Sequence, residues 1–328
     1  MDKVRVGFVG GGFIAGIHMG ILSSRDDVEI AGIIEPDENR AKSVSEKYGA
    51  KVFEKLKDMK DAGIDAVYIT SPNFTHFLYA SEAVELGFSV FCEKPMTINY
   101  EEARALEKLV EEKGVIFQVG HNRRFAYVYK FMKEKIEKGE VTPYSFQIKM
   151  NRGELKNPPW VSDRKYTGGF LFETTLHLFD MVRFLFGDLE EMYIFAKKSV
   201  YDDLDDWAIL MKTKSGVIGT FTSSAHTSWM IPFERVEVYG DHVMLSNDEM
   251  EKVYYSKGLN SEVEIRDFMK VDFKDKWGYV EEDNIFIDCV KEGKTPPVTV
   301  HDGARAIEIV DACYKSVEKG DPHVFFGR

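Results

Sequence analysis

The sequence predicts an α/β protein in which an N-terminal doubly wound parallel sheet precedes a C-terminal α+β domain built on a mostly antiparallel open sheet. Two observations predict this fold class. In the first third of the chain, short apolar runs alternate with helical segments, the pattern of βαβ units. Beyond that point, strands follow one another across short turns, which favours antiparallel pairing. The change of rhythm near Arg123 predicts domains of residues 1–122 and 123–328.

The first domain is predicted from alternating strand and helix signals. Apolar runs predict strands at Val4–Val9, Val28–Ile34, Ala66–Thr70, Ser89–Cys92 and Val115–Val119. The predicted helices are one that runs to about Leu22, one that follows Ser71-Pro72-Asn73 and ends near Gly87, and two more at Arg40–Tyr48 and Tyr100–Lys113. A glycine follows each of the last two helices, which is a common way to end a helix.

The second domain is predicted to be richer in strands. They lie at Tyr144–Met150, Glu191–Ser199, Trp207–Thr213, Val217–Ser223 and Arg235–Tyr239, with further candidates up to Phe273. Helices are predicted at Val128–Lys138, Glu173–Phe186, Glu282–Glu292 and Gly303–Lys319.

Composition narrows the class of protein. Hydrophobic residues make up 44% of the chain and charged residues 30%, which suits a packed core. The net charge of −12 argues against nucleic acid or an anionic membrane as a partner, because both require a basic face. Since no run of about 20 apolar residues occurs, we expect no membrane-spanning helix. The first strand begins almost at the N-terminus, so we expect no signal peptide.

Cysteine usage points to the cytoplasm. The chain has three cysteines, Cys92, Cys289 and Cys313, which are far apart and form no C-x-x-C pair. We therefore expect neither a disulfide framework nor a zinc site. We expect the protein to work in the reducing cytosol. The histidines form no visible ligand cluster with carboxylates in the sequence, so no metal is predicted. Abundant Glu and Lys beside only two glutamines are typical of thermophile proteins.

The first chemical motif is a glycine turn, G-x-G-x-x-A, at Gly10–Ala15. It follows a strand and opens a helix, as in the Rossmann dinucleotide fold. Gly10 permits a tight turn, Gly12 lets the backbone approach a pyrophosphate, and the helix N-terminus faces the phosphates. Flavoproteins and methyltransferases use similar turns, and such a turn can also be purely structural.

Glu35 indicates which dinucleotide would bind. It lies 25 positions after Gly10, at the end of the second strand. A carboxylate there accepts hydrogen bonds from ribose hydroxyls and repels a 2′-phosphate, which favours NAD over NADP. Arg40 is a base that could accept such a phosphate, but it lies five positions further on, within the predicted helix. The alternative is that Glu35 is an ordinary solvated loop acid.

A third motif, Glu93-Lys94-Pro95, ends a strand. Ligands of open α/β sheets bind beyond the carboxyl ends of strands, so Lys94 is a candidate proton donor or acceptor for a substrate hydroxyl. The alternative is a surface lysine.

These segments together resemble the Gfo/Idh/MocA oxidoreductase family over essentially the whole chain. The resemblance rests on Gly10–Ala15, Glu35, Ser71-Pro72-Asn73 with His76, Glu93-Lys94-Pro95, Asn122–Phe125, Gly168-Gly169 through Asp180, and the segment from Gly303. It implies that Lys94, His177 and Glu173 are catalytic and that the Lys94–Pro95 bond is a candidate for the cis form. Glu173 stands where the family usually has aspartate, and Thr175 where it usually has glycine, which would add bulk beside the site.

The resemblance also implies the remaining site residues. Glu173 and His177, spaced i, i+4, would share one helix face, although both could simply be polar residues at an exposed helix start. Substrate-binding candidates are Arg123, Arg152 and Trp160, the last of which could instead pack beside Pro158-Pro159. Cofactor-binding candidates are Gly10, Gly12, Phe13, Ile14, Glu35, Ser71, Asn73, His76, Glu93 and Asn122.

The implied activity is NAD-dependent, reversible oxidation of a secondary alcohol on a small sugar or polyol. Two alternatives stay open: tightly bound NAD used transiently in epimerisation or glycoside cleavage, and a non-catalytic NAD or sugar sensor. The presence of both Lys94 and His177 favours an enzyme. The family's use of the second-domain sheet as an interface implies a homodimer or homotetramer.

Overall fold

The computed structural model describes residues 3–152 and 159–327. The chain divides into two compact units. The first unit holds the residues up to His121 together with Tyr279–Ile307, and the second holds Asn122–Gly278 and the residues from Glu308 onward.

The first unit begins with alternating strands and helices. They are β1 (Val4–Val9), α1 (Phe13–Leu22), β2 (Val28–Ile34), α2 (Glu38–Tyr48), β3 (Lys51–Val52), α3 (Leu56–Asp61), β4 (Ala66–Ile69), α4 (His76–Glu85), β5 (Ser89–Glu93), α5 (Tyr100–Lys113) and β6 (Phe117–Gly120). The predicted strands and helices are present within a few residues. Strand β3, of two residues, and the short helix α3 were not predicted, because both are too short to show a periodic pattern of apolar residues.

The helix boundaries follow from local chemistry. Asp37 caps α2 by accepting the Arg40 amide, and Asn99 caps α5 by accepting the Glu102 amide. Both helices end at a glycine in the left-handed region, Gly49 with φ 76° and Gly114 with φ 63°.

All strand pairs of the first sheet are parallel, in the order β3-β2-β1-β4-β5-β6. The order reverses between β1 and β4, which makes their carboxyl ends the switch point of a doubly wound sheet. Buried strand residues form a core cluster on which Ala15, Met19 and Leu22 of α1 pack. The predicted Rossmann architecture is therefore confirmed.

The second unit is built on a larger, mixed sheet. Its elements up to Gly278 are α6 (Tyr127–Glu137), β7 (Ser145–Met150), α7 (Arg164–Thr167), α8 (Leu176–Phe186), β8 (Leu189–Lys197), β9 (Asp206–Thr213), β10 (Ile218–Ser224), β11 (Glu234–Gly240), β12 (Val243–Asp248), β13 (Lys252–Lys257), β14 (Val263–Asp267) and α9 (Phe273–Lys276). The C-terminal elements are α10 (Tyr279–Glu292), α11 (Val300–Lys319) and β15 (His323–Phe325).

The strand order of the second sheet is β14-β13-β12-β11-β7-β10-β9-β8-β15. The pairing of β7 with β10 is parallel, whereas the other recorded pairs are antiparallel. The prediction of a mostly antiparallel sheet is therefore confirmed. β15 adds an edge strand that the sequence analysis missed, because three residues carry too little alternation to stand out.

One segment departs from the predicted domains. Residues 279–307 were assigned to the second domain, but α10 packs with the first unit. The physical reason is its apolar face: Phe286 and Ile287 are fully buried in the core cluster beneath the parallel sheet. The Phe286 ring meets Tyr68 at 5.4 Å and Phe91 at 5.6 Å between ring centroids, edge to face.

In the part of the chain that the structure describes, the helices are too short or too polar to cross a bilayer.

The placement of α10 generates a stability prediction. We expect Phe286→Ala to lower the free energy of unfolding by about 3–5 kcal/mol, because it leaves a cavity among buried aromatic rings. The measurement is chemical denaturation. The control is Glu292→Ala at the exposed end of the same helix, which we expect to change stability by less than about 0.5 kcal/mol. A loss below about 1 kcal/mol for Phe286→Ala would contradict the packing of α10 against this sheet.

Candidate active site

The turn after β1 requires glycine. Gly10 has φ +92°, and a Cβ there would lie 2.7 Å from the backbone of Ser71. At Gly12, a Cβ would meet no atom of the described residues within 4 Å, so its backbone faces open space. Because Gly12 is the N-cap of α1 and has no side chain, the first amides of the helix are left for a bound group. Exposed Phe13 and half-buried Ile14 follow it.

The carboxylate of Glu35 lies against this turn. Its Oε2 accepts the Gly11 amide at 2.7 Å, and its Oε1 accepts the Asp37 amide at 2.9 Å. The Arg40 guanidinium is 3.8 Å from the same carboxylate, so the nearby base is drawn into an ion pair with the acid. This geometry places negative charge beside the glycine turn, where the sequence analysis expected a ribose to bind.

The end of β4 supplies the next predicted residues. The Ser71 and Thr75 hydroxyl oxygens are 2.6 Å apart, and Asn73 opens a short 3-10 turn, Asn73–Thr75. The His76 ring is buried, with its nitrogens 2.7 Å from the Pro95 carbonyl and 2.7 Å from the Ser71 carbonyl. Burial lowers the pKa of His76, and the contacts of its two ring nitrogens join two strand-end loops.

At the end of β5, the Lys94–Pro95 bond is cis, as predicted. Lys94 is half-buried, and its amide donates to Glu93 Oε2 at 3.0 Å. Glu93 itself is buried, and its Oε1 lies 3.1 Å from His18 Nε2. The carboxylate of Glu93 therefore bonds to the protein rather than facing the solvent.

These features meet at one edge of the parallel sheet. β2, β1, β4 and β5 are consecutive neighbours, so the glycine turn, Glu35, Ser71 and Lys94 all lie at carboxyl ends of adjacent strands. The open space at Gly12 and the carboxylate at Glu35 fit the pyrophosphate and ribose of a dinucleotide.

In the second unit, Glu173 and His177 lie where an irregular turn runs into α8. Residues Leu171–Thr175 form a π-helical turn, so the predicted single helix starts earlier and with a wider turn. His177 is buried and Glu173 is half-buried. A π turn inside a helix is frequent at functional sites.

Thr175 does not add bulk beside the site, contrary to expectation. Its side chain is fully buried, and its hydroxyl lies 2.9 Å from the Ser223 hydroxyl of β10. Ser223 in turn donates to the Met150 carbonyl at 2.6 Å. The threonine therefore fastens the π turn to the sheet.

Arg123 also differs from its predicted role. It is buried in a bidentate ion pair with Glu234, with Arg123 Nη2 2.7 Å from Glu234 Oε2. The Tyr129 hydroxyl donates to the same carboxylate at 2.6 Å. Since a buried charge requires this partner, we assign Arg123 to the internal structure of the second unit and not to substrate binding.

The other predicted residues of this unit are placed as follows. The Asn122 amide donates to the Trp277 carbonyl at 2.9 Å. The Arg152 guanidinium lies 5.1 Å from the Trp229 ring centre and 4.9 Å from that of Phe233. The side chain of Trp160 lies outside the described part of the chain.

The structure brings together histidine–carboxylate clusters that the sequence did not reveal. His18 contacts both Glu93 and Asp283. In the second unit, ligand-type atoms of Asp205, Asp206 and His226 lie within 4.8 Å of one another.

Hydrogen bonds account for the second of these clusters. The Asp205 carboxylate accepts three backbone amides, from Ser199, Val200 and Tyr201. Asp206 accepts hydroxyls of Ser199 and Ser224 and lies 3.0 Å from His226 Nε2. The cluster therefore fastens a loop to the end of β10.

Two family models match the chain. One, described as an oxidoreductase family with an NAD-binding Rossmann fold, matches residues 4–121. The other, the C-terminal alpha/beta domain of that oxidoreductase family, matches residues 133–324. The chain belongs to the Gfo/Idh/MocA oxidoreductase family. It is an NAD-binding oxidoreductase, which confirms the predicted resemblance, enzyme class and cofactor.

Relatives of this Gfo/Idh/MocA protein include two inositol dehydrogenases. The myo-inositol 2-dehydrogenase of Thermotoga maritima is 29% identical, over 96% of this chain and 97% of the relative. The scyllo-inositol 2-dehydrogenase (NAD(+)) of Bacillus subtilis is 27% identical, over 98% and 96%. Among solved structures, levoglucosan dehydrogenase in complex with NADH and L-sorbose has a TM-score of 0.88 at 20% identity, over 100% of both chains, which shows the shared fold.

The sequence analysis missed two residues behind the Gfo/Idh/MocA lysine motif. His18 lies three positions after Ala15 and four before Leu22, so helical periodicity could have placed it on the buried face of α1. Asp283, its partner, is 265 positions away and carries no local signal.

The position of Glu35 generates a prediction on cofactor choice. We expect Glu35→Gln to weaken NAD binding and to narrow its preference over NADP by about 1–3 kcal/mol, because an amide neither repels a 2′-phosphate nor accepts charged hydrogen bonds. Titration of the protein with NAD and with NADP measures both affinities. Glu38→Gln, an exposed acid in the first turn of α2, is the matched control and should bind like wild type. If the Glu35→Gln variant kept the wild-type preference for NAD over NADP, another group would have to select the cofactor.

Proposed function

We propose that this protein catalyses reversible, NAD-dependent oxidation of a secondary alcohol on a cyclic polyol or sugar. The observation that carries the proposal is the position of Lys94 at the carboxyl end of β5, in the same strand-end row as the glycine turn and Glu35. The inositol dehydrogenases among the relatives support a polyol substrate.

NAD, when bound, supplies the hydride acceptor, and the protein supplies position and proton handling. The residues that would hold NAD are Gly10, Gly12, Phe13, Ile14 and Glu35. Ser71, Asn73 and Asn122 are the other proposed contacts, whereas His76 and Glu93 would act through the loops that they fasten.

Oxidation removes a hydride from carbon and a proton from the hydroxyl oxygen. We propose that the Lys94 ammonium donates a hydrogen bond to that oxygen, where negative charge develops, and that the His177 imidazole takes the proton. Imidazole suits this role because its usual pKa lies near neutrality. Glu173, one turn before His177, would orient the ring or accept a neighbouring substrate hydroxyl.

Two further residues are proposed substrate contacts. Arg152 lies beside two aromatic rings and can donate several hydrogen bonds to hydroxyls. Trp160 is proposed on chemical grounds alone, because an indole ring is flat and largely apolar and suits contact with a sugar ring. The three free cysteines support a reducing cytosol as the place of action.

The test of the proposed function is a dehydrogenase screen across inositols and sugars with NAD. We expect reduced nicotinamide to accumulate with at least one polyol. Product formation without release of NADH would favour transient oxidation by tightly bound NAD. Binding without turnover across the panel would favour a sensor.

With a substrate in hand, Lys94→Ala tests the proposed role. We expect turnover to fall by about 10²–10⁴-fold while NAD binding stays nearly intact, since the ammonium that donates to the reacting oxygen is lost and the nucleotide contacts are not. Lys108→Ala, an exposed lysine on α5, is the matched control and should retain turnover. Full turnover by Lys94→Ala would remove this lysine from the mechanism.

We also propose that the exposed face of the second sheet joins copies of the chain into a homodimer or homotetramer. Large apolar side chains on this face are well exposed: Tyr193, Phe195, Leu210 and Ile218. Tyr193 pairs directly with Leu210 across β8 and β9, so the residues form a continuous patch. Contiguous exposed apolar surface of this kind marks interaction sites.

The patch generates a prediction on assembly. We expect Leu210→Glu to shift the protein towards monomers, because a buried unpaired carboxylate would be costly at the centre of an interface. Light scattering after size-exclusion chromatography measures the mass. Leu259→Glu, the same change in an exposed loop after β13, should leave the mass unchanged. An oligomer that survives Leu210→Glu intact would place the interface elsewhere.

A further inference from the structure

A buried chain of ionisable side chains lies directly behind the Lys94 loop. His18 of α1 is completely buried, with its Nδ1 2.8 Å from Asp283 Oδ1 and its Nε2 3.1 Å from Glu93 Oε1. The three residues come from α1, β5 and α10, all within the first unit. We call these three hydrogen-bonded side chains the Asp283–His18–Glu93 relay.

The contacts of the ring favour its charged form. An ionised carboxylate can only accept hydrogen bonds, so a ring between two carboxylates must donate from both nitrogens and carry a positive charge. Burial alone lowers the pKa of His18, but the charges and hydrogen bonds of Asp283 and Glu93 outweigh it and raise the pKa to about 10. The imidazolium therefore persists at neutral pH.

Glu93 carries the relay to the loop. Its Oε1 faces His18, while its Oε2 accepts the Lys94 amide at 3.0 Å. Burial raises the pKa of Glu93, yet His18 and Lys94 hold it below its usual value. On the neighbouring strand, a Cβ at Gly120 would lie 3.0 Å from the Glu93 carboxyl group. Both oxygens of Glu93 thus have hydrogen-bond partners, and its carboxyl group packs closely against Gly120, where a side chain would not fit.

A second buried acid nearby shows that the pairing is selective. Glu282 precedes Asp283 on α10 and is equally buried, yet neither of its carboxyl oxygens has a hydrogen-bond partner among the residues that the structure describes. Burial raises the pKa of Glu282 well above its usual value, which favours its neutral form. Of two adjacent buried acids, only Asp283 contacts the imidazole.

We propose that the Asp283–His18–Glu93 relay positions Lys94 for catalysis by clamping the carboxylate that holds the Lys94 amide. The relay residues are positioning residues, since their hydrogen bonds reach the reaction only through the backbone of residue 94. This inference rests on the proposed role of Lys94. Small misplacement of a reacting group is costly to turnover, which gives the relay a measurable effect.

Asp283→Asn is the main test variant, because it keeps the size of the side chain and removes its charge. We expect kcat to fall between about 10- and 100-fold, with the KM for substrate and the affinity for NAD nearly unchanged. Glu282→Gln is the matched control: it is adjacent and equally buried but makes no hydrogen bond to His18, so kcat should stay at the wild-type value.

A second variant and a second readout keep the test decisive if Asp283→Asn folds poorly. Glu93→Gln should lower kcat similarly, and hydrogen exchange of the holoprotein should show faster exchange of the Lys94 amide in both variants. Wild-type kcat in both folded variants would overturn the relay. So would loss of thermal stability alone, with unchanged kcat for the folded fraction. Lys94→Ala separates the two proposals: if that variant keeps full turnover, the proposed function fails first.

Discussion

The reversal of strand order between β1 and β4 is the constraint on which the cofactor side of this protein depends. Because β1 pairs in parallel with both neighbours, the helices that follow these strands leave on opposite faces and open a crevice at their carboxyl ends. Gly10 can make its turn there only without a side chain, since Ser71 of the adjoining strand end occupies the space. The charge of Glu35, the amides of α1 and the loop of Lys94 all take their positions from this edge.

In the second unit, charged side chains are paired inside the structure. Arg123 and Arg124 follow one another, and each forms a buried or partly buried pair, with Glu234 and Asp180 respectively. Removing one member of such a pair leaves an uncompensated charge and is strongly destabilising, although the pair itself adds little net stability. This explains how a segment that resembles a binding motif in sequence can serve mainly to join the 3-10 turn at Asn122–Phe125 to helix α8 and to the second sheet. Arg152 differs from Arg123 in its surroundings, because its guanidinium lies over aromatic rings.

Local signals predicted most of the fold and pointed to the strand-end residues of the candidate site. Buried parallel strands are continuous apolar runs, and Gly10, Glu35 and Lys94 are fixed by their places at strand ends, so each could be read from the sequence. What escaped prediction depends on pairing across long separations: Asp283 with His18, Glu234 with Arg123, and α10 with the first sheet. Periodicity shows that a face is apolar but not which surface it meets. The burial of Thr175 against Ser223 was hidden for the same reason.

The central claim is that hydride passes between a substrate carbon and the nicotinamide of NAD bound at this sheet edge. The most direct measurement is transfer of deuterium from a polyol labelled at its carbinol carbons, followed by mass spectrometry of the cofactor after a single turnover. We expect the label to be found in the nicotinamide ring. Conversion of the polyol with an unlabelled cofactor, or with the label lost to water, would contradict hydride transfer and with it the function proposed for this protein.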